Sequence, residues 1–432
     1  MSRILLTIII TKFVIDKTEK MINKISFKNY KLFKEKQTLE LKPITILIGK
    51  NNSGKSAVLK LMTLIEGALN GKSDNVFDLK NDDVSSGDKY KDLIYGKFGR
   101  AIELELFQED FVNEKNDVLN VEISVDVDAD MPILENWSLK EVFKNNDEKE
   151  FLNFQRINKT TYFNEIDNTE YLCEFIGIYL ANYFDKAKAD LSGTIYKIPF
   201  LKTDFIGSIR EKSKQDYRLN SVNTKSHPDG RYLYDFLIRD YLTTDKKYFS
   251  KISEWIKTKF EGWELYVDVD SEPYHIELRR EKLYINITET GMGIGQSLPL
   301  ITRAYKPCEE ETLIIIEEPE SHLHPFAHAQ LAQLFAESIK QDKNKKYLIE
   351  THSQNFILRL RRLIAEKFLN ENDVLIYYVD FNDETNESNL KEIKIIDGGK
   401  VSYWPEGIFS ETLEESIGIR TAQIDRENVG RD

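Results

Sequence analysis

The stretch Thr45-Ile-Leu-Ile-Gly49-Lys-Asn51-Asn52-Ser53-Gly54-Lys55-Ser56, followed by Ala-Val-Leu-Lys-Leu-Met, leaves this chain few folds to choose from. A β-branched apolar run, a loop with glycine at both ends, and Lys-Ser opening a helical pattern make the strand, loop and helix of a phosphate-binding P-loop. Gly49 and Gly54 allow backbone conformations in which the N–H groups between them, including those of Asn51, Asn52 and Ser53, curl round a polyphosphate. The helix starting near Lys55 points its positive dipole end at the same anion. Lys55 is placed to reach the β- and γ-phosphates, and the Ser56 hydroxyl to hold Mg²⁺. An ordinary Gly-rich turn has no need of the flanking buried strand and helix.

Length bears on how many bodies surround this motif. At 432 residues the chain exceeds one ordinary domain, so two lobes, or one lobe interrupted by another, are expected. Hydrophobic residues make up 41% and aromatics 11%, enough for a large core. A net charge of -13 argues against nonspecific binding of nucleic acid over the whole surface and leaves room for a local basic groove. Cys173 and Cys308 form no metal spacing and no disulfide framework; both read as core residues of a cytoplasmic protein. No apolar run is long enough to span a bilayer, so no membrane partner is expected. Ile4–Ile10 looks like a short signal core, yet no small-residue cleavage site follows it. Met21 begins the strand pattern, so residues 1–20 read as an extension from an upstream start.

Along the chain, Ile25–Phe33 and Thr38–Leu41 alternate as strands of one antiparallel layer. Thr45–Ile48 is a buried strand, and Ser56–Leu69 a helix with Val58, Leu59, Met62 and Ile65 on one face. A polar link covers 71–90, and Ile102–Phe107 and Val121–Val127 are half-exposed strands. From about Pro132 to Phe260 the segments are aromatic-rich and charged. Helical spacing there, notably in Tyr171–Phe184 and Tyr232–Phe260, predicts an inserted, mainly helical lobe without a long coiled-coil arm. Lys212, Lys214, Arg218, Lys225 and Arg231 around Tyr217 suit either a phosphate-contacting loop or a solvated one. Strands resume at Leu265–Val269, His275–Leu278 and Leu283–Ile287. Gly291, Gly293 and Gly295, with Gln296 after them, then form a glycine-rich turn before an amphipathic helix.

Thr312-Leu-Ile-Ile-Ile316-Glu317-Glu318-Pro319-Glu320 is an apolar strand ending in carboxylates, the partner element of a P-loop. Glu317 is expected in the Mg²⁺ shell, and Glu318 to orient and deprotonate the attacking water. Read alone, the same segment is a buried strand with a solvated acidic edge. His322, His324 and His328 follow at a strand-to-helix turn, with no cysteine or carboxylate pair to complete a zinc set. Tyr347-Leu-Ile-Glu350-Thr351-His352-Ser353 is another buried strand ending in a polar cluster. From there His352 can donate to a γ-phosphate oxygen or the segment can simply cap a helix. Val374–Val379 and Ile393–Ile396 pair as the last strands, and the tail after Ile417 is polar and loose.

Taken in order, the P-loop, the glycine-rich signature with its Gln, Ile-Glu-Glu-Pro-Glu-Ser-His-Leu-His-Pro and Glu-Thr-His-Ser resemble the ABC-class ATPase heads of the overcoming-lysogenisation-defect family. The resemblance extends to relatives in the antiphage systems Septu, PARIS and Gabija, and more distantly to recombination protein F and structural-maintenance-of-chromosomes heads. It covers residues 21–110 and 283–410, and touches Phe205-Ile-Gly-Ser-Ile-Arg210-Glu211. It implies an α/β head, a mixed sheet plus an antiparallel β layer, with 111–282 as the insertion and 411–432 as a tail. It implies an ATP- and Mg²⁺-dependent homodimer in which ATP lies between one subunit's P-loop and the other's Gly291, Gly293, Gly295 and Gln296. Lys55, Glu318 and His352 would then be catalytic, and Ser56 and Glu317 metal-binding. Relatives often carry Ser where this chain has Gly295, so slow turnover is implied. Gln108 is a weak candidate for the lid glutamine. No Asp-x-Asp cluster of a Toprim nuclease follows His352. The implied role is an ATP-driven switch or scaffold for a separate effector such as a nuclease in prokaryotic antiphage defence. An ATP-gated DNA clamp in repair or recombination is the alternative, and a transporter's nucleotide-binding subunit a weaker third.

Overall fold

Five parallel strands form the centre of the molecule, in the order Thr203–Ile206, Thr312–Glu317, Lys345–Glu350, Ile44–Ile48 and Val374–Asn382. Glu387–Ile396 and Lys400–Val401 extend this sheet antiparallel at one edge. The computed structural model describes residues 20–423, apart from 72–74, 98, 111–113, 127, 146, 189–197, 220–221, 271 and 410–414. The expected signal-like Ile4–Ile10 run and the proposed extension over 1–20 lie outside the described residues except for Lys20.

The central strands are apolar on both faces because both are covered. Leu47, Leu313, Ile315 and Leu348 face one core, and Ile46, Ile314, Ile316 and Ile349 the other. The first core lies under helix α1 (Lys55–Leu69) and a nine-stranded antiparallel sheet. The second lies under helices α2 (Arg231–Leu242), α3 (Lys247–Lys259), α4 (Met292–Tyr305), α5 (Pro325–Gln341) and α6 (Gln354–Ala365). The α/β architecture expected for the head is the one observed. Among the described residues no helix is long and apolar enough to cross a membrane.

The nine-stranded sheet corrects the expectation of a mainly helical insertion. It begins with Gln37–Glu40, Lys24–Lys28 and Ile102–Asp110 and runs on through Lys115–Asp126, Met131–Phe143, Glu148–Arg156, Thr161–Asn164, Thr169–Ile176 and Tyr179–Asp185. Hydrogen bonding therefore continues from the head strands straight into residues after 111. Tyr171–Phe184, read as helical, is a hairpin: Tyr171 and Cys173 point inward while Leu172 and Glu174 point outward, a period of two. Tyr232–Phe260 is helical as expected, broken into α2 and α3. Glu264–Asp268, His275–Arg280 and Leu283–Asn286 form a separate three-stranded sheet. In the tail, residues 415–423 are helical rather than loose.

Candidate functional site

Because the five central strands are parallel, their carboxyl ends share one edge, where open α/β sheets bind ligands. The loop after Ile48, Glu317 and Glu350 all sit there. Gly49 is required by a close approach, since a Cβ there would stand 2.5 Å from the Val379 carbonyl oxygen. Gly54 caps α1 at φ 101°, in the left-handed region. Lys55 and Ser56 thus open the helix, as the sequence predicts, at its positive end.

A cavity of about 750 Å³ lies over this helix start. Asn51, Asn52, Gly54, Lys55 and Ser56 line one side, with Glu318, Glu350 and His352 opposite. Tyr30, Lys31, Leu32, Ala57, Lys60 and Ser86 complete the wall; sequence reasoning gave none of them a role. Tyr30, Lys31, Leu32 and Ser86 reach the P-loop only through tertiary packing, whereas Ala57 and Lys60 lie on α1 itself. Ser53 is buried beneath the loop, its carbonyl accepting from the Ser388 hydroxyl at 2.7 Å. The Lys55 ammonium folds back on the carbonyls of Gly49 and Lys50, at 3.0 and 2.7 Å. Burial lowers its pKa, an effect opposed by Glu350 and Glu318.

Opposite the loop, the Glu318 amide bonds the Glu350 carbonyl at 2.9 Å, and the Ser321 hydroxyl donates to its carboxylate at 2.8 Å. Glu318 holds φ at 41°, uncommon for a residue with a side chain. Arg210 spans this kink, its Nη2 donating to the carbonyls of Glu317 and Glu318 at 3.0 and 2.8 Å. Burial lowers the Arg210 pKa to about 10, against the pull of Glu320, Glu318 and Glu317. The Glu317 carboxylate is not part of the cavity lining, and one of its oxygens lies beside Gly207. Burial, then Glu350, raises its pKa.

The carboxylate that contacts Ser56 belongs to Glu350, at 2.8 Å, a residue the sequence reading passed over. Glu318, Glu350 and His352 each bring one ligand atom within 4.8 Å of the others. With the Ser56 hydroxyl they form an oxygen-rich set suited to a hard divalent cation. His352 stands exposed at the rim, and what burial it has, then the Lys55 charge, keeps its pKa below the usual value. A neutral imidazole there can still donate one N–H to an anion.

Helix α4 begins at Met292, so Gly293, Gly295 and Gln296 lie inside it; the expected glycine-rich turn is reduced to Gly291, its N-cap. Pro299 cannot donate to the Gly295 carbonyl four residues earlier, and the Tyr234 hydroxyl does so at 3.0 Å. Gln296 is buried against the Arg210 carbonyl, and none of these α4 residues lines the cavity. Gln108 is buried too, accepting from the Phe200 amide at 3.1 Å, away from the cavity lining. His324 caps α5 and His328 bridges Ser353 and the Leu323 carbonyl, both structural bonds. In the basic stretch Lys214 pairs with Glu211, Lys225 with Glu66 and Asp82, and Arg231 with Asp229.

Among solved structures the chain is similar to an Smc head bound to the C-terminal winged-helix domain of ScpA, at 14% identity and a TM-score of 0.46. That match covers 87% of this chain and 99% of the other. It is also similar to the SMC head domain from Thermotoga maritima, at 12% identity and TM-score 0.40, covering 87% of this chain and all of that one. A third is an Smc head with an extended coiled coil bound to the C-terminal domain of ScpA derived from Pyrococcus furiosus. Its identity is 11% and its TM-score 0.40, over 93% of this chain and 99% of that one. No curated protein matches. Residues 369–416 match a family described as a protein of unknown function, DUF3696. Residues 21–357, which hold the P-loop, the carboxylate strand and His352, match the AAA ATPase domain, and the chain belongs to that family.

Proposed function

We propose that this chain is an ABC-class ATPase that hydrolyses ATP with Mg²⁺, pairs head to head around the nucleotide, and acts as a switch or scaffold for a separate effector. The observation that carries the ATPase reading is the single cavity in which Lys55 and Ser56 at a helix start face Glu318 and His352. The motif order resembling antiphage ATPases supports the finer role, control of a nuclease in prokaryotic defence.

In this reading the loop N–H groups and Lys55 bind the β- and γ-phosphates, and Glu318 orients a water in line with the γ-phosphorus. The water oxygen bonds to phosphorus as the bond to the β–γ bridging oxygen breaks; ADP leaves and the water's proton passes to Glu318. His352 donates to a γ-phosphate oxygen. Ser56 holds the metal together with a strand-end carboxylate, the place the resemblance gives to Glu317. Mg²⁺, when bound, offsets charge on the phosphate oxygens.

Two substitutions test the chemistry. Glu318→Gln is expected to lower kcat by about 10²–10⁴-fold while nucleotide still binds; turnover at the parental rate would refute the assignment. Lys55→Ala is expected to lose ATP binding, measured by calorimetry. The role is tested by purifying the native protein from its host with and without infection. Recovery of a nuclease supports the switch, and recovery of DNA alone the clamp.

A further inference from the structure

Glu350 ends the strand beside the P-loop strand, in register with Leu47 on one side and Glu317 on the other. Its side chain is 6% exposed. It accepts from the Ser56 hydroxyl at 2.8 Å and lies 3.7 Å from the Lys55 ammonium. Burial, together with Glu318 and Glu320, works against its negative charge, while Ser56 and Lys55 favour it. A triphosphate arriving at Lys55 brings more negative charge to the same place and engages the cation that Glu350 pairs with. A carboxylate there is compatible with bound phosphate only if a further positive charge arrives too. Glu317, the other strand-end candidate, lies outside the cavity lining, with an oxygen beside Gly207.

We propose that Glu350 is the carboxylate that joins Ser56 in holding the divalent cation accompanying the nucleotide, and that without nucleotide it occupies Lys55 and Ser56 in the phosphate's place. The inference rests on the ATP reading above. Its consequence is a change of sign: Glu350 competes with phosphate for Lys55 when no cation is present, and helps to retain the nucleotide when one is. Most of the metal dependence of nucleotide affinity should then reside in this one side chain.

The test is calorimetric titration of a non-hydrolysable ATP analogue into the full chain, in Mg²⁺ and in EDTA, for the parent, Glu350→Gln and Glu317→Gln. In the parent, Mg²⁺ tightens binding. In Glu350→Gln that enhancement should fall by about 10-fold or more, while affinity in EDTA equals or exceeds the parent's. Glu317→Gln should keep its enhancement. Glu350→Gln removes a charge crowded by Glu318 and Glu320 and with it the partner of Lys55, so its melting temperature is measured alongside as the check on folding. Glu350→Asp, with a shorter arm, should give an intermediate enhancement, and decides the matter if the Gln variant does not fold. Mn²⁺ offers a second reading, since loss of its free-ion EPR signal on adding the chain and ADP should be weaker in Glu350→Gln. A parental enhancement in Glu350→Gln, or its collapse only in Glu317→Gln, would overturn the inference and leave the ATP reading standing. Absence of nucleotide binding by the parent chain would overturn both.

Discussion

Lys345 shows at the scale of one residue what burial does to a charge. Its ammonium donates to the Ala304 carbonyl at 2.6 Å and lies 3.7 Å from Asp342, almost out of solvent. Burial, then Arg303, pushes its pKa down to about 8, whereas an unfolded lysine titrates near 10.4. Between these values the unfolded chain holds a proton that the folded chain has released, so stability rises with pH across that window. Below pH 8 the cost of the buried charge is present in full, on the order of 3 kcal/mol. Lys345→Met is therefore expected to be at least as stable as the parent at pH 7. It should also lose the relative gain in melting temperature between pH 8 and 10; parallel curves for the two chains would contradict this. The Ala304 carbonyl keeps the Ser338 hydroxyl as a partner, so the substitution orphans no buried acceptor. Residues of the candidate site were legible to the extent that their surroundings are local. Lys55 and Ser56 follow a loop whose spacing dictates their place, and Glu318 ends an apolar run. Glu350 could not be read this way, because its meeting with Ser56, 294 positions away, depends on the parallel register of two strands.

Elements were legible where one periodicity stood alone. Thr312–Glu317 and Lys345–Glu350 are buried on both faces, so their apolar runs pointed to strands. Tyr171–Phe184 misled because aromatic and aliphatic residues at nearly every position satisfy a helical period and an alternating one together. The nine-stranded sheet beside it decided between them. Helix α4 is a subtler case, in which glycines that looked like a turn are helical. A Cβ on Gly295 would fall on the Ser213 hydroxyl. Gly295→Ser, the residue found in the relatives this chain resembles, should therefore be destabilising. Overpacking costs about 1–3 kcal/mol, more than the roughly 0.5 kcal/mol that Ser gains over Gly in helix propensity. Adding Ser213→Ala removes the colliding oxygen and should restore most of the melting temperature. Additive losses in that double-mutant cycle would show that the two residues do not meet.

For the molecule as a whole, the open question is what closes the cavity. Asn51, Asn52 and His352 are exposed around it, and Gly291 has nothing within 4 Å of where a Cβ would stand. A triphosphate held by Lys55 and Ser56 is gripped by one chain on one side, and the start of α4 in a second copy is the element proposed to cover the other. Ile209 and Phe326 are 87% and 62% exposed; Ile209 adjoins Arg210, which bonds the carbonyls of Glu317 and Glu318, and Phe326 follows the carboxylate strand two residues after His324. Burying two such side chains in each of two copies contributes roughly 6–12 kcal/mol before the costs of association, which are themselves about 4–15 kcal/mol. In the proposed pair such apolar contacts would come close to cancelling the cost, leaving contacts to the shared nucleotide to decide the sign. Pairing should accordingly follow ATP. Glu318→Gln is expected to sediment as a dimer with ATP and Mg²⁺ and as a monomer with ADP. Ile209→Asp in the same background should remain monomeric with unchanged nucleotide affinity, because Ile209 lies outside the cavity lining. A monomer at saturating ATP and tens of micromolar protein would show that the site is complete within one chain.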